Sequence, residues 1–294
     1  SRDIRVQTHP SLRGTCVQSW QQGLGARAQI EETEAVQARL AHGQNLAHRH
    51  ANIARAIRPT IEADARAQKR FCAHACQRAL LRENDYPGRG IVIGMTPDGK
   101  KAAVAYFIMG RSANSRNRIF ALEDGVLYTK PFDESKVKDP KLSVTNGDQT
   151  DTVWEGLKKG VSFGEALKAR CFEPDAPNLT PRISGMLTFE EGSFSYELSI
   201  LKSADSEGTA CNRYLFSYPA LPGLGHFLHT YVCDGSPIPT FQGEPERMAI
   251  PEEIDAFANE LWESLDADNK ISLYVRYTDL GDGSFEDRLI NKNQ

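Results

Sequence analysis

The chain of 294 residues is 40% hydrophobic and 25% charged, the composition of a globular protein with a sizeable core and not of a disordered or fibrous one. No run approaches the roughly 18–20 apolar residues that cross a bilayer, and Ser1-Arg2-Asp3-Ile4-Arg5 has no apolar stretch of the kind that opens a secretion signal. Six scattered cysteines without a framework spacing read as reduced thiols of a cytoplasmic protein.

The net charge of −4 conceals a division. Up to Asn84, 12 Arg and one Lys stand against seven acidic residues, so that part carries +6 and the remainder −10. Five of the seven histidines lie before Asn84, where Trp20 and Phe71 are the only aromatic residues. Residues 1–80 therefore read as an Arg/Ala/Gln-rich extension and residues 81–294 as the main domain. Within the extension, 31–57 and 62–81 favour helix by propensity. Their apolar stripe is thin (Val36, Leu40, Leu46, Ile53, Ile57), and Pro59 separates the two pieces. So few apolar groups leave a loose helical arm, a disordered segment and a packed helical hairpin all open.

From Arg89 the texture changes. Apolar runs at 90–95 and 102–109 flank Thr96-Pro97-Asp98-Gly99, the pattern of a β-hairpin. A second hairpin is predicted for 118–123 and 126–129 around Asp124-Gly125. Residues 150–159 and 163–169 read as helices broken at Gly160, followed by strands at 183–189, 194–201, 213–218 and 227–232. Pro251 opens a predicted helix to Leu265, with Glu252 and Glu253 suited to its dipole. Strands at 271–277 and 285–290 close the chain. Many strands with few intervening helices predict an α+β class.

Four polar clusters can carry chemistry. Gly110-Arg111-Ser112-Ala113-Asn114-Ser115-Arg116-Asn117-Arg118 is rich in donors that suit a phosphate, and reads equally as a solvated loop. The run from Val144 to Thr152 holds Asn146-Gly147 and a helix start capped by Asp148 or Thr150, where free N–H groups can hold an anion. In Phe172-Glu173-Pro174-Asp175-Ala176-Pro177-Asn178-Leu179-Thr180-Pro181-Arg182, Glu173 sits beside an aromatic ring, a setting that suits a general acid or base. The fourth runs from Gly223 through His226 and His229 to Asp234-Gly235 and Gly243-Glu244-Pro245; a spacing of three puts the two histidines on opposite faces of a strand. Cys72, His74 and Cys76, with His48 and His50 upstream, are weakly spaced for zinc, and no metal is assigned. P-loop, dinucleotide and GxSxG signatures are lacking.

Taken in order, Tyr86-x-Gly88-Arg89, Arg111-Ser112 with Asn117-Arg118, Asn146-Gly147-x-x-Thr150-Asp151-Thr152 and Thr180-Pro181-Arg182-Ile183 resemble the archaeal-type IMP cyclohydrolases over about residues 80–293. Gly225-His226-Phe227, Asp234-Gly235 and Gly243-Glu244-Pro245 look like the bacterial branch. The resemblance implies a four-layer αββα sandwich like that of the Ntn hydrolases, without their self-processed nucleophile, so Ser1 has no such role. It implies a purine ribotide substrate, 5-formamidoimidazole-4-carboxamide ribotide, closed to IMP by a hydrolase acting on cyclic amidines, with no cofactor. By motif match it makes Arg118 the catalytic cation and Glu173 the catalytic carboxyl. Arg89, Arg111, Ser112, Asn117, Asn146, Asp148, Thr150, Asp151 and Arg182 would bind the ribotide.

One departure stands out. Where family members carry an extra strand with a Tyr-Asn pair, only Ser143 separates Asp139-Pro140-Lys141-Leu142 from Val144-Thr145-Asn146-Gly147. Tyr106 and Tyr128 are the substitutes considered for that tyrosine. An inactive or repurposed nucleotide-binding relative and an amide hydrolase of the same fold are the alternative readings, and nucleic-acid binding by the basic extension ranks last. No membrane partner is expected; a homo-oligomer is compatible with the sequence.

Overall fold

The computed structural model describes residues 81–136 and 147–294. The readings made for residues 1–80, for Asn146 and for the shortened segment before it lie outside the described residues.

The first hairpin forms as predicted: β1 (Arg89–Met95) pairs antiparallel with β2 (Lys101–Met109). The Gly99 N–H closes the turn on the Thr96 carbonyl at 3.0 Å. A short helix α1 (Ala113–Arg116) then leads into β3 (Arg118–Glu123) and β4 (Val126–Pro131). Asp124 and Gly125 both have positive φ, 50° and 76°, the backbone that a two-residue hairpin turn requires. Helices α2 (Gly147–Lys158) and α3 (Phe163–Leu167) precede β5 (Arg182–Glu190), β6 (Ser193–Ser203) and β7 (Cys211–Pro219). The chain ends through β8 (Leu224–His229), β9 (Glu246–Ala249), α4 (Ile254–Ser264), β10 (Lys270–Asp279) and β11 (Phe285–Asn291). The class is α+β, with antiparallel sheets throughout the described residues.

Six strands form one sheet in the order β11-β10-β2-β1-β8-β9, and β5-β6-β7 form a second. Alternation along β1 and β2 sends successive side chains to opposite faces. One face of the large sheet, with Val92, Ala105, Phe107, Phe227, Leu273 and Val275, receives Ile254, Phe257, Ala258 and Leu261 of α4. Their i, i+3, i+4, i+7 spacing is the apolar stripe of an amphipathic helix. The other face, with Ile93, Met95 and Leu228, packs on Ile183, Phe194, Tyr196, Leu198 and Ile200 of the second sheet. The sheets meet closely at Gly185, where an added Cβ would lie 2.8 Å from Ile93 Cδ1. Helices α2 and α3 touch residues of opposite parity on that second sheet. Gln149 Nε2 donates to Ser184 Oγ at 3.0 Å, and a Cβ on Gly164 would lie 3.0 Å from Leu215. A register shift between Lys270 and Ser272 turns Ile271 to the side of Tyr274, where both pack on Phe120 of the β3–β4 hairpin.

Four local expectations are corrected. The strand predicted for 227–232 begins at Leu224 and ends at His229. Beyond it, Thr230 N–H is shared between the carbonyls of Arg89 at 3.1 Å and Pro87 at 3.2 Å, and Tyr231 N–H turns to Pro87 at 3.2 Å, which ends the regular ladder. The helix predicted from Pro251 starts at Ile254, because Ile250 N–H and the Pro251 carbonyl are already held, by the Gly223 carbonyl and the Tyr277 hydroxyl. Helix α2 begins at Gly147, so Asp148 and Thr150 lie within its first turn and not at the position before it. Strand β9 was not foreseen: Glu246-Arg247-Met248-Ala249 has helical propensity, but pairing with β8 buries Met248 and Ala249 as an edge strand. Among the described residues no helix is long and apolar enough to cross a membrane.

Candidate active site

A cavity of about 600 Å³ opens where β1 starts and β2 ends. Chain segments far apart in sequence meet there: Tyr86, Gly88 and Arg89 before and at β1; Arg111, Ser112 and Ser115 after β2, with Arg118 at the start of β3; Glu173, Asp175, Asn178 and Thr180 before β5; Thr230, Tyr231 and Ile238 after β8. The hairpin ladder fixes the first group, since Met109 N–H bonds the Gly88 carbonyl at 2.8 Å. Gly88 holds φ +76°, and a Cβ there would fall 2.3 Å from Thr230 Oγ1 and 2.5 Å from the Tyr231 ring. Only a residue without a side chain lets the two segments pass so closely. Thr230 locks the crossing: its hydroxyl donates to the Pro87 carbonyl at 2.9 Å and accepts from Arg89 N–H at 3.1 Å.

Arg89 Nη1 donates to Glu173 Oε1 at 3.1 Å, with both side chains largely buried. Burial alone would pull the Arg89 guanidinium down, but the Glu173 carboxylate and the surrounding phenols hold it above its ordinary value. Arg118 is anchored by carbonyls: Nε to Ser115 O at 2.7 Å and Nη2 to Met109 O at 3.3 Å. No acidic side chain forms an ion pair with Arg118 among the described residues. Burial, and then the charge of Arg89, push its guanidinium down; it stays protonated at physiological pH all the same. A cation held this way attracts an anion or a developing oxyanion.

Arg111 occupies the rim. It pairs with Asp234, donates to the Gly235 carbonyl at 2.8 Å, and lies 5.1 Å over the Tyr86 ring. Ser112 caps α1 reciprocally with Ser115: Ser115 N–H donates to Ser112 Oγ at 3.0 Å, and Ser112 N–H to Ser115 Oγ at 2.9 Å. Beneath Arg111, Tyr86 stacks with Tyr231, their centroids 5.8 Å apart. Burial raises both phenols, Tyr231 to about 12, so each is neutral at physiological pH.

The cavity thus gathers Arg89, Arg111, Ser112, Arg118 and Glu173 from the predicted set. Other predicted residues stand elsewhere. Asn117 clamps the β3–β4 hairpin, exchanging two bonds of 2.8 Å with the Asp133 backbone. Arg182 begins β5 opposite Leu201. Thr150 and Asp151 lie on α2, whose first turn Gln149 ties to the Ile183 carbonyl at 3.2 Å. Asn146 and the side chain of Asp148 lie outside the described residues. Tyr128 lies across from Ala121 in the second hairpin and does not line the cavity. Tyr106 stacks on Phe120 at 5.4 Å, and its phenol acts on the charges of Arg89 and Arg118. Sequence reasoning missed Tyr231, Asp175, Asn178 and Ile238. All four stood in clusters already singled out, Asp175 and Asn178 in the third and Tyr231 and Ile238 in the fourth, but nothing there distinguished them from their neighbours.

Fold and site together define an α+β protein with an arginine-rich, carboxylate-bearing pocket suited to a small anionic ligand. The model of the family described as IMP cyclohydrolase-like protein matches residues 86–283, and the chain belongs to that family. It is 30% identical over 184 residues, 53% of this chain and 89% of the relative, to the protein named IMP cyclohydrolase from Methanopyrus kandleri (strain AV19). No solved structure gives a significant match.

Proposed function

We propose that this chain is an IMP cyclohydrolase of purine biosynthesis, closing 5-formamidoimidazole-4-carboxamide ribotide to IMP with loss of water. The observation that carries the reading is the pairing, in one cavity, of an arginine without an acidic partner among the described residues and a carboxylate held by a second arginine. The carboxamide is a weak nucleophile, and the formyl oxygen gains negative charge as the nitrogen attacks. Arg118 stabilises that charge, and Glu173, oriented by Arg89, carries a proton to the oxygen that leaves as water. Both reacting groups sit on one imidazole, so holding the ribotide in the reactive conformer supplies much of the remaining rate.

Arg111, Ser112 and the stacked Tyr86 wall suit the ribose phosphate and the base. The motif match keeps Asn117, Asn146, Asp148, Thr150, Asp151 and Arg182 as further ribotide ligands. The fold reading that goes with this function is a four-layer αββα sandwich like that of the Ntn hydrolases. Its support is the packing of α4 on one face of the six-stranded sheet, of the second sheet on the other, and the contacts of α2 and α3 with Ser184 and Leu215.

The test is conversion of the formamido ribotide to IMP by the full-length chain, followed by ultraviolet absorbance. Turnover is expected, and Glu173→Gln should lower kcat by about 10²–10⁴-fold, the usual share of a general acid or base. IMP binding without turnover in the unsubstituted chain would replace this reading with that of a non-catalytic nucleotide-binding relative.

A further inference from the structure

Beside Glu173, whose N–H bonds the Thr180 carbonyl at 2.9 Å, the cavity carries a chain of polar groups to which the cyclohydrolase reaction so far assigns no role. Asp175 accepts two bonds from one residue: Thr180 N–H to Oδ1 at 2.7 Å and Thr180 Oγ1–H to Oδ2 at 2.5 Å. Thr180 Oγ1 also lies 2.7 Å from the Tyr231 hydroxyl. A threonine hydroxyl has one proton, and an ionised carboxylate can only accept. With the Thr180 proton given to Asp175, the Tyr231 O–H must be the donor to Thr180. The phenol proton is therefore committed away from the cavity, and the oxygen lone pairs are what Tyr231 offers to a bound ligand.

All three residues line the cavity, Tyr231 buried at 5% exposure and Asp175 open to solvent. The order Tyr231, Thr180, Asp175 thus runs from the buried wall to water. Gly88 and Thr230 fix the position of the ring, and Arg89 lies near enough for its charge to act on the phenol.

We propose that Tyr231 is the catalytic group that accepts the carboxamide proton of the ribotide, with Thr180 and Asp175 as the positioning residues that carry a proton away. This rests on the cyclohydrolase reading. As the carboxamide nitrogen bonds to the formyl carbon, the C=O π pair moves to the oxygen beside Arg118 and one N–H bond breaks. That proton goes to Tyr231 Oη, the phenol proton to Thr180 Oγ1, and the Thr180 proton to the Asp175 carboxylate, which releases it to water. Glu173 then hands the oxygen beside Arg118 a proton taken up from solvent, which balances the one released at Asp175, and the hydroxyl leaves as water with the formamido N–H proton. The two proton tasks thus fall on different side chains of one cavity.

The experiment is a double-substitution cycle on the full-length chain, with Tyr231→Phe, Asp175→Asn and their combination, reading kcat, KM and IMP affinity. Each single substitution should lower kcat by about 10²-fold or more, with IMP affinity within a few-fold of the unsubstituted chain. Members of one relay act as a unit, so the double variant should fall no further than the worse single one. Independent, multiplying losses would overturn the relay, as would Tyr231→Phe at undiminished kcat. Thr180→Val, which keeps the shape and removes the hydroxyl, must reproduce the Asp175→Asn loss. If Tyr231→Phe fails to fold, Asp175→Asn and Thr180→Val carry the test: unchanged kcat in both would overturn the relay. An unsubstituted chain that binds IMP and turns nothing over would overturn the reaction itself, an outcome distinct from active variants.

Discussion

Gly88→Ala offers the sharpest test of how the cavity is built. An added methyl would sit 2.3 Å from Thr230 Oγ1 and 2.5 and 2.8 Å from two carbons of the Tyr231 ring, at φ +76°. The left-handed backbone costs a residue with a Cβ roughly 1–2 kcal/mol, and overpacking a tight site roughly 1–3 kcal/mol more. The clash cannot be relieved cheaply. Thr230 is fixed by Pro87 and Arg89, and Tyr231 by Thr180 and the Tyr86 stack. Gly125→Ala is the internal control: the same φ of +76°, but no described residue within 4 Å of the new methyl. Urea unfolding should show Gly125→Ala losing only the backbone term, about 1–2 kcal/mol, and Gly88→Ala losing about 2–5 kcal/mol. At temperatures where Gly88→Ala is still folded, its turnover should also fall, because Tyr231 is displaced. Equal losses for the two variants would refute the claim that steric closeness, and not φ alone, reserves position 88 for glycine.

Two further outcomes are expected. Arg118→Ala should lower kcat by about 10²–10³-fold, the worth of one oxyanion-stabilising group, with Arg118→Lys recovering part of it; steady-state kinetics with undiminished kcat in Arg118→Ala would remove the residue from the chemistry. His226 is buried, with Nδ1 2.6 Å from the Tyr196 hydroxyl and its ring 3.6 Å from that of Tyr218. Burial, helped by the charge of Arg247, lowers it from 6.5 to about 4. A histidine depressed in the folded state stabilises fully above its unfolded value, and that contribution is lost as pH falls from 6.5 toward 4. The loss should be on the order of 2 kcal/mol. Urea midpoints between pH 7 and 4.5 should fall less in His226→Gln, which bonds Tyr196 without titrating; parallel declines would show that His226 does not set the slope.

Both hairpins were legible because their turns are spelled locally: Asp124-Gly125 takes the two positive φ values that few other residue pairs tolerate. Strands β5, β6, β7, β10 and β11 followed from apolar runs with flanking turn residues. Strand β9 did not, because its four residues become a strand only through the exposed edge of β8. Pro251 misled for a related reason: the Tyr277 hydroxyl, from a strand far along the chain, holds its carbonyl and delays the helix to Ile254.

At the site the division is similar. Arg118, Arg111 and Glu173 were found as unusual residues in unusual company, and motif order connected them. That Arg89 holds Glu173 could not be read from either residue, since they stand 84 positions apart; that Arg118 is held by the nearby carbonyls of Ser115 and Met109 depends on how the loop between them folds. Tyr231 was hidden because a tyrosine within a predicted strand is ordinary in sequence; its meaning lies in Thr180, 51 positions earlier. The sequence by itself determined the α+β class, the local turns and the stock of charged groups, all set by side-chain periodicity and backbone preference over a few residues. Only the tertiary structure decided which of those groups share a cavity and which proton faces which oxygen. Such pairings depend on distances set by sheet order and packing, and the linear chain does not encode them locally.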